Sequence, residues 1–316
     1  MRPQVSYKHI VALLLFVVSS LLTAGQDSPL SQWQNNMLQS NPSLAGSAQK
    51  VRINTFFRDQ WHKEDAGFRY YGINADMPVT KNMGAGIEII NETMALFNRP
   101  SVYAVYSYST PVNHSSAIRW GMKLGAMQKI LSASELKFEE EEHITLESSA
   151  LRIDAGLGVS TMAKNVFLSF SVEHLTRPYQ GLSSDNSSRM NMKWTVDAGY
   201  VYKISPLIKK IDVEIMPNIL FQQQGRQQNM QISVISQINS LLAGLVARKN
   251  FDIDMPFVSI MLGYRTIDFS VSYSYDVDTN IRTTGAGNAH ELSLTKTFAI
   301  HHKKKHKPIE CPSFLK

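Results

Sequence analysis

A single cysteine among 316 residues leaves no partner for an internal disulfide, so this chain must be held together by backbone hydrogen bonding and packing. Long apolar runs are missing as well. The run Ile10–Leu22 follows Arg2 and Lys8 and ends in the small residues Thr23, Ala24 and Gly25. It is too short for a membrane-spanning helix, which needs about 20 apolar residues, and it has the order of a secretory signal peptide. We expect residues 1–25 to be that signal, with cleavage leaving a chain that starts at Gln26. With no spanning helix further on, the exported chain is either soluble or crosses a membrane as a closed barrel.

Charge of one sign is missing from most of the chain. The formal net charge of +6 comes from the ends: two basic residues in the leader, and five lysines against Glu310 in 299–316. With these set aside from the totals of 32 basic and 26 acidic side chains, residues 26–298 carry 25 of each. A nucleic-acid binder needs a basic stripe through its body, so that class is excluded.

Catalytic signatures are absent too. There is no G-x-S-x-G, no H-E-x-x-H and no spaced cysteine and histidine set, so an enzyme is not expected. His290 and Glu291 are neighbours, but adjacent side chains on a strand point to opposite faces. No metal or cofactor is expected either. The glutamates of FEEEEHI (Phe138–Ile144) lack the staggered oxygens and tight turn of a calcium loop. The lysines inside HHKKKH (His301–His306) repel the cation its histidines would hold. The glycine pairs Gly84–Gly86, Gly156–Gly158 and Gly285–Gly287 have no following helix to cradle a phosphate, and suit bending or close packing of strands.

What the chain has in quantity is alternation with period two. Ile267, Phe269, Val271, Tyr273, Tyr275 and Val277 fall on one side of a segment whose other side is Asp268, Ser270, Ser272, Ser274 and Asp276. The same pattern recurs in 151–161 and 191–203. Aromatic-rich alternation over about ten residues is the signature of a transmembrane barrel strand. Segments near 50–61, 68–77, 83–92, 101–110, 117–130, 151–161, 165–175, 191–203, 211–222, 228–239, 241–248, 256–266, 267–276 and 288–298 qualify. They predict an all-β fold, an antiparallel up-and-down barrel of about 14 strands over 49–298, an even number as single-chain bacterial barrels require.

Connections 131–150, 176–190, 223–227, 249–255 and 277–287 read as the longer loops of one rim. Residues 26–48 read as a periplasmic N-terminal segment and 299–316 as a basic periplasmic tail. The inward faces would carry Arg152, Asp154, Lys193, Asp197, Asp268 and Asp276, pairing across the lumen rather than lining a pore of one sign. A soluble β-sandwich is the competing architecture, since alternation also arises when one face meets water.

Five segments then stand together: NPSLAGS (Asn41–Ser47), FFRDQW (Phe56–Trp61), NADMPV (Asn74–Val79), AHELSLTKTF (Ala289–Phe298) and PIECPSF (Pro308–Phe314). In this order they resemble the PorP/SprF family of type IX secretion system outer-membrane proteins. The chain departs from the family at Asp59, where Asn is frequent, and at Ser43-Leu44, where Ala-Tyr is frequent. The resemblance implies a Bacteroidetes outer-membrane barrel of the secretion and gliding machinery. Such a protein holds a secreted surface adhesin or other cargo at the cell surface and links it to periplasmic peptidoglycan-associated or motor-associated partners.

Arg58, Gln60 and Trp61 are read as a structural or docking motif. Lys303, Lys304 and Lys305, with Cys311, Pro312 and Phe314, are read as a periplasmic docking peptide. Cys311 itself has three readings: an idle thiol, an intermolecular disulfide, or a small apolar group packed beside Ile309, Pro312 and Phe314. An outer-membrane diffusion channel or uptake porin for small solutes is the alternative function on the same fold.

Overall fold

The computed structural model describes residues 27, 29–61, 67–113, 116–131, 151–163, 165–181, 189–204, 212–251, 255–279 and 288–300. Fourteen strands form its wall: β1 Val51–Gln60, β2 Phe68–Pro78, β3 Met83–Met94, β4 Phe97–Asn113, β5 Ser116–Met127, β6 Arg152–Ala163, β7 Val166–Glu173, β8 Lys193–Tyr200, β9 Val213–Gln224, β10 Gln227–Ile238, β11 Leu241–Asn250, β12 Met255–Arg265, β13 Phe269–Asp278 and β14 Ala289–Phe298. Tyr202–Ile204 continues β8 after a break at Val201, and Ile130–Leu131 pairs with the start of β4. Each strand is antiparallel to the next, and β1 pairs with β14 from Val51↔Phe298 to Gln60↔Ala289. The barrel therefore closes without an edge, which is how strands satisfy their backbone groups in a membrane.

All fourteen alternating segments fall on these strands. The connections differ at three places. The expected loop 223–227 is a tight turn at Gly225 and Arg226, since β9 runs to Gln224 and β10 starts at Gln227; Gly225 takes the positive φ of 60° that the reversal demands. The β3–β4 connection is likewise only Ala95 and Leu96, because β3 runs to Met94 and β4 begins at Phe97. Asp268, expected on the inward face of a strand, sits instead in the turn before β13 at the mouth of the barrel, half-exposed and paired with Lys50 at 2.9 Å. Ile267 beside it is 86% exposed.

Val51 and Phe298 share one rim, here the terminal rim, with the turns at 79–82 and 239–240; the long connections after β5, β7 and β13 share the other, the loop rim. The outward face is apolar, with Val102, Tyr106, Met122, Leu124, Leu168, Ile232, Leu245, Ile260 and Leu262 exposed. Aromatics mark its two ends. Phe57 meets Tyr71 and Phe170 meets Trp194 near the loop rim, while Tyr108 lies opposite Trp120 nearer the terminal rim. That apolar band bounded by aromatics is the lipid-facing pattern of an outer-membrane barrel. In β14, Leu292, Leu294 and Phe298 point out while Glu291, Ser293 and Thr297 are buried within.

The expected periplasmic placement of 26–48 is overturned. Residues 29–48 are almost all buried inside the barrel, as the turns Trp33–Asn35, Met37–Ser40 and Pro42–Leu44. The physical reason is the width of the wall. About eight strands leave an interior that side chains alone can fill, whereas fourteen leave a lumen that needs further material or water.

Candidate functional site

A chain buried in a lumen has no neighbouring strand to pair with, so its backbone groups must be met by local turns or by wall side chains. Both devices are used. Asn41 caps the last turn, its Oδ1 accepting from the Ser43 N–H at 2.9 Å, with Pro42 in the first helical position. The Asn41 Nδ2 donates to the carbonyls of Val159 and Phe170 at 3.1 and 3.0 Å. Arg119 donates to the carbonyls of Ser43 and Ala45, and Ser107 Oγ also donates to Ala45. The Gly46 N–H meets Asp76 at 2.7 Å, and Arg52 holds that carboxylate from the other side at 2.8 Å.

Glycines make room for this part of the plug. Inward-facing Gly84, Gly121 and Gly158 each lie where a Cβ would collide with it: with the Ala45 carbonyl, the Ser43 backbone and the Asn41 side chain respectively. One glycine of each described pair, Gly84 and Gly158, thus serves the close approach of the plug, while Gly86 and Gly156 lie first against neighbouring strands; Gly285 and Gly287 lie outside the described residues.

Nearer the loop rim the contacts are ionic. Glu291 accepts from the backbone N–H groups of both Ser31 and Gln32, at 2.8 and 2.9 Å. Arg58 bonds Glu291 at 3.0 Å and Asp276 at 2.8 Å, all three side chains having no exposure. Ser31 Oγ donates to Asp276 at 2.7 Å, and Arg248 reaches Asp276 at 3.3 Å and the Pro29 carbonyl at 3.1 Å. Gln231 donates to the Leu30 carbonyl at 3.1 Å. Breaking a buried pair by removing one member costs about 3–5 kcal/mol, because the other charge is stranded.

The plug reaches the loop rim in a third cluster. Asp27 bonds Arg99 at 2.8 Å, His174 at 2.9 Å and Lys193 at 2.9 Å. Glu92 pairs with Arg99, Glu173 with both Lys123 and Lys193, and Asp154 with His174 at 2.7 Å. Residues 27–50 therefore run the length of the lumen, from the loop rim to the terminal rim. Among the described residues no group of three or more histidine, cysteine, aspartate or glutamate side chains is arranged to hold a metal.

The sequence-derived site residues divide. Arg58 and Gln60 are brought together, with Arg58 Nη2 donating to Gln60 Oε1 at 3.0 Å. Both are buried in the wall, so they have no surface to offer another protein; Arg58 binds the chain's own plug. Trp61 lies just past β1 at the loop rim, half-buried, with a positive φ of 59°. Lys303, Lys304, Lys305, Cys311, Pro312 and Phe314 lie outside the described residues. Sequence reasoning placed Asp276 inward but missed what it and Glu291 hold. The signal was present: NPSLAGS, the Arg58 of FFRDQW, the Asp76 of NADMPV and the Glu291 of AHELSLTKTF all meet at the plug.

The family described as type IX secretion system membrane protein PorP/SprF matches residues 22–295. No curated protein matches. Solved structures similar to the chain include a CymD monoaromatic hydrocarbon channel (10% identity, 85% of this chain and 94% of that one, TM-score 0.48). A KdgM porin in complex with disordered oligogalacturonate is similar at 8% identity, over 78% of this chain and 99% of that one, with TM-score 0.36. CdiB from Acinetobacter baumannii is similar at 12% identity, over 79% and 60%, with TM-score 0.40. At these values the likenesses add nothing to the barrel already described.

Proposed function

The chain belongs to the PorP/SprF family of type IX secretion system membrane proteins, a barrel of the outer membrane, and from that premise we propose that it is a non-enzymatic anchor. It holds or helps display a secreted surface protein, an adhesin or similar cargo, at the loop rim. At the terminal rim it is linked to periplasmic components of the machinery. Outer-membrane barrels place short turns in the periplasm and long loops outside, which orients the loop rim toward the cell surface. Loops 131–150, 176–190 and 277–287 are the cargo-facing candidates, and much of each lies outside the described residues.

The observation that carries this reading is the filled lumen. A diffusion channel needs an aqueous path, whereas here residues 27–50 run through the barrel and bond to wall residues on β1, β2, β4–β7 and β10–β14. A solute could pass only after that network opened. Two measurements on the purified full chain test the proposal. In planar bilayers it should give no stable conductance, and from detergent-solubilised outer membranes it should copurify with a large exported protein. A stable open pore with no such companion would overturn anchoring in favour of transport.

A further inference from the structure

Not every polar group on the inner wall is answered. Asn54 of β1, Asn74 of β2 and Glu88 of β3 stand directly opposite one another in register, forming a row across the lumen face of the three strands. All three are sealed from water, at 4%, 4% and 0% exposure. Side chains so placed have Cβ atoms about 4.5–5.5 Å apart, close enough to bond. They do not bond: Asn54 Oδ1, both polar atoms of Asn74 and both carboxylate oxygens of Glu88 have no hydrogen-bond partner among the described residues. Protein interiors rarely leave such groups unmet, and a carboxylate least of all.

The surrounding bonds turn oxygens into the row. Asn54 directs its Nδ2 toward β14, donating to Thr295 Oγ1 at 3.0 Å, which leaves Oδ1 on the Asn74 side. Lys123 stays 3.7 Å from Glu88, beyond bonding distance, with its ammonium held by Glu173. The plug closes the space: its turn Met37–Ser40 packs on β3, with Leu38 beside Gly86. One layer toward the terminal rim, Asp76 is already taken by Arg52 and the Gly46 N–H.

We propose that a single sodium ion sits in this row, bound by the side-chain oxygens of Glu88, Asn74 and Asn54. A ligand set of oxygens alone suits a hard cation. Charge sets its valence. The cluster around Asp27 holds four basic side chains against four carboxylates, and Glu88, linked to it through Lys123, is a fifth. One positive charge restores the balance, whereas a divalent ion beside Lys123 would exceed it. The bound ion fastens the wall beneath the middle turn of the plug, between the glycine seat and the ionic contacts nearer the loop rim. The site and the anchoring role stand or fall separately.

Sodium chloride and choline chloride at equal ionic strength separate binding from screening, because choline is too large for the row. In urea unfolding of the full chain in micelles, sodium should raise the midpoint above that in choline. At a sodium concentration about ten times the dissociation constant, the ratio of folded to unfolded chain should rise about tenfold. Glu88→Gln, which keeps the volume and removes the charge, should erase the difference between the salts; Asn74→Leu, which removes an oxygen and keeps the charge, gives a second reading should the first variant not assemble. Equal midpoints of the unsubstituted chain in both salts would overturn the proposal and leave the row to water alone. A sodium effect undiminished in both variants would also overturn it, by placing the ion elsewhere. A rise with calcium chloride and none with sodium would overturn the assignment of a monovalent ion.

Discussion

Between Asn41 and Gly46 the plug rests on wall backbone from which side chains have been removed, whereas at Ser31 and Gln32 it hangs from a carboxylate pinned by an arginine. The rear seat is a matter of shape: Gly84, Gly121 and Gly158 leave no gap that a methyl group could enter. At the front, the holding force is charge, with Glu291, Asp276 and Arg58 wholly withdrawn from water. The difference teaches that one segment can be fixed by two independent devices. Substitutions that alter volume should act on one, and those that alter charge on the other.

The largest effect is expected at the front. Arg58→Ala strands Glu291 without a cation and leaves Asp276 to Arg248 alone, and should cost about 3–5 kcal/mol, read as a fall in the midpoint of denaturant unfolding in micelles. Glu291→Gln, which keeps an acceptor for the Ser31 N–H, should cost clearly less; equal losses would remove charge from the explanation. At the rear, Gly121→Val forces a side chain into the Ser43 backbone, where nothing flexible can yield. Overpacking of this kind costs about 1–3 kcal/mol or expels the obstacle, so the variant should keep the barrel and gain measurable conductance. Asn41→Ala removes a cap and two bonds to wall carbonyls, and should cost about 1–2 kcal/mol.

A weaker handle lies at the loop rim, one residue past β7. Burial alone would push the His174 imidazole down, but Asp27 and Asp154 beside it hold it up at about 9. A group raised above its unfolded value of about 6.5 stabilises fully below that pH and loses the contribution as the pH climbs through its folded value. Arg99 and Lys193 continue to hold Asp27 when His174 is neutral. The protection factor of the Leu30–Gln32 amides, which corrects exchange for its intrinsic base catalysis, should therefore fall modestly as the pH rises from about 6.5 past about 9, and stay level in a His174→Gln variant. Lys50→Ala marks the lower bound: its pair with Asp268 is 30% and 50% exposed, and its loss should shift stability by no more than about 1 kcal/mol.

The wall was legible in the sequence because a strand's period-two pattern is local: each inward Ser or Asp and each outward Leu or Tyr is fixed by its own neighbours. Turn lengths were less legible. Whether Gln223 and Gln224 continue β9 depends on partners in β10, not on their own propensity. The plug was missed because Leu30–Ala48 carries no periodic signal, and its meaning depends on groups far along the chain. Asn41 finds Val159 and Phe170, and Ser31 finds Glu291 across 260 positions. Arg58 stayed open between a structural and a docking role for a related reason: an arginine on a strand can face a partner or a buried carboxylate, and only the closure of β1 on β14 decides which.

The seat itself can be probed where Ser43 Oγ lies 2.7 Å from Ser160 Oγ. In a Cys311→Ser background, Ser43→Cys combined with Ser160→Cys should form a disulfide in nearly every molecule under mild oxidation, without reducing barrel stability. Two free thiols that both react readily with a membrane-impermeant maleimide, with no disulfide formed, would contradict a plug seated in the lumen.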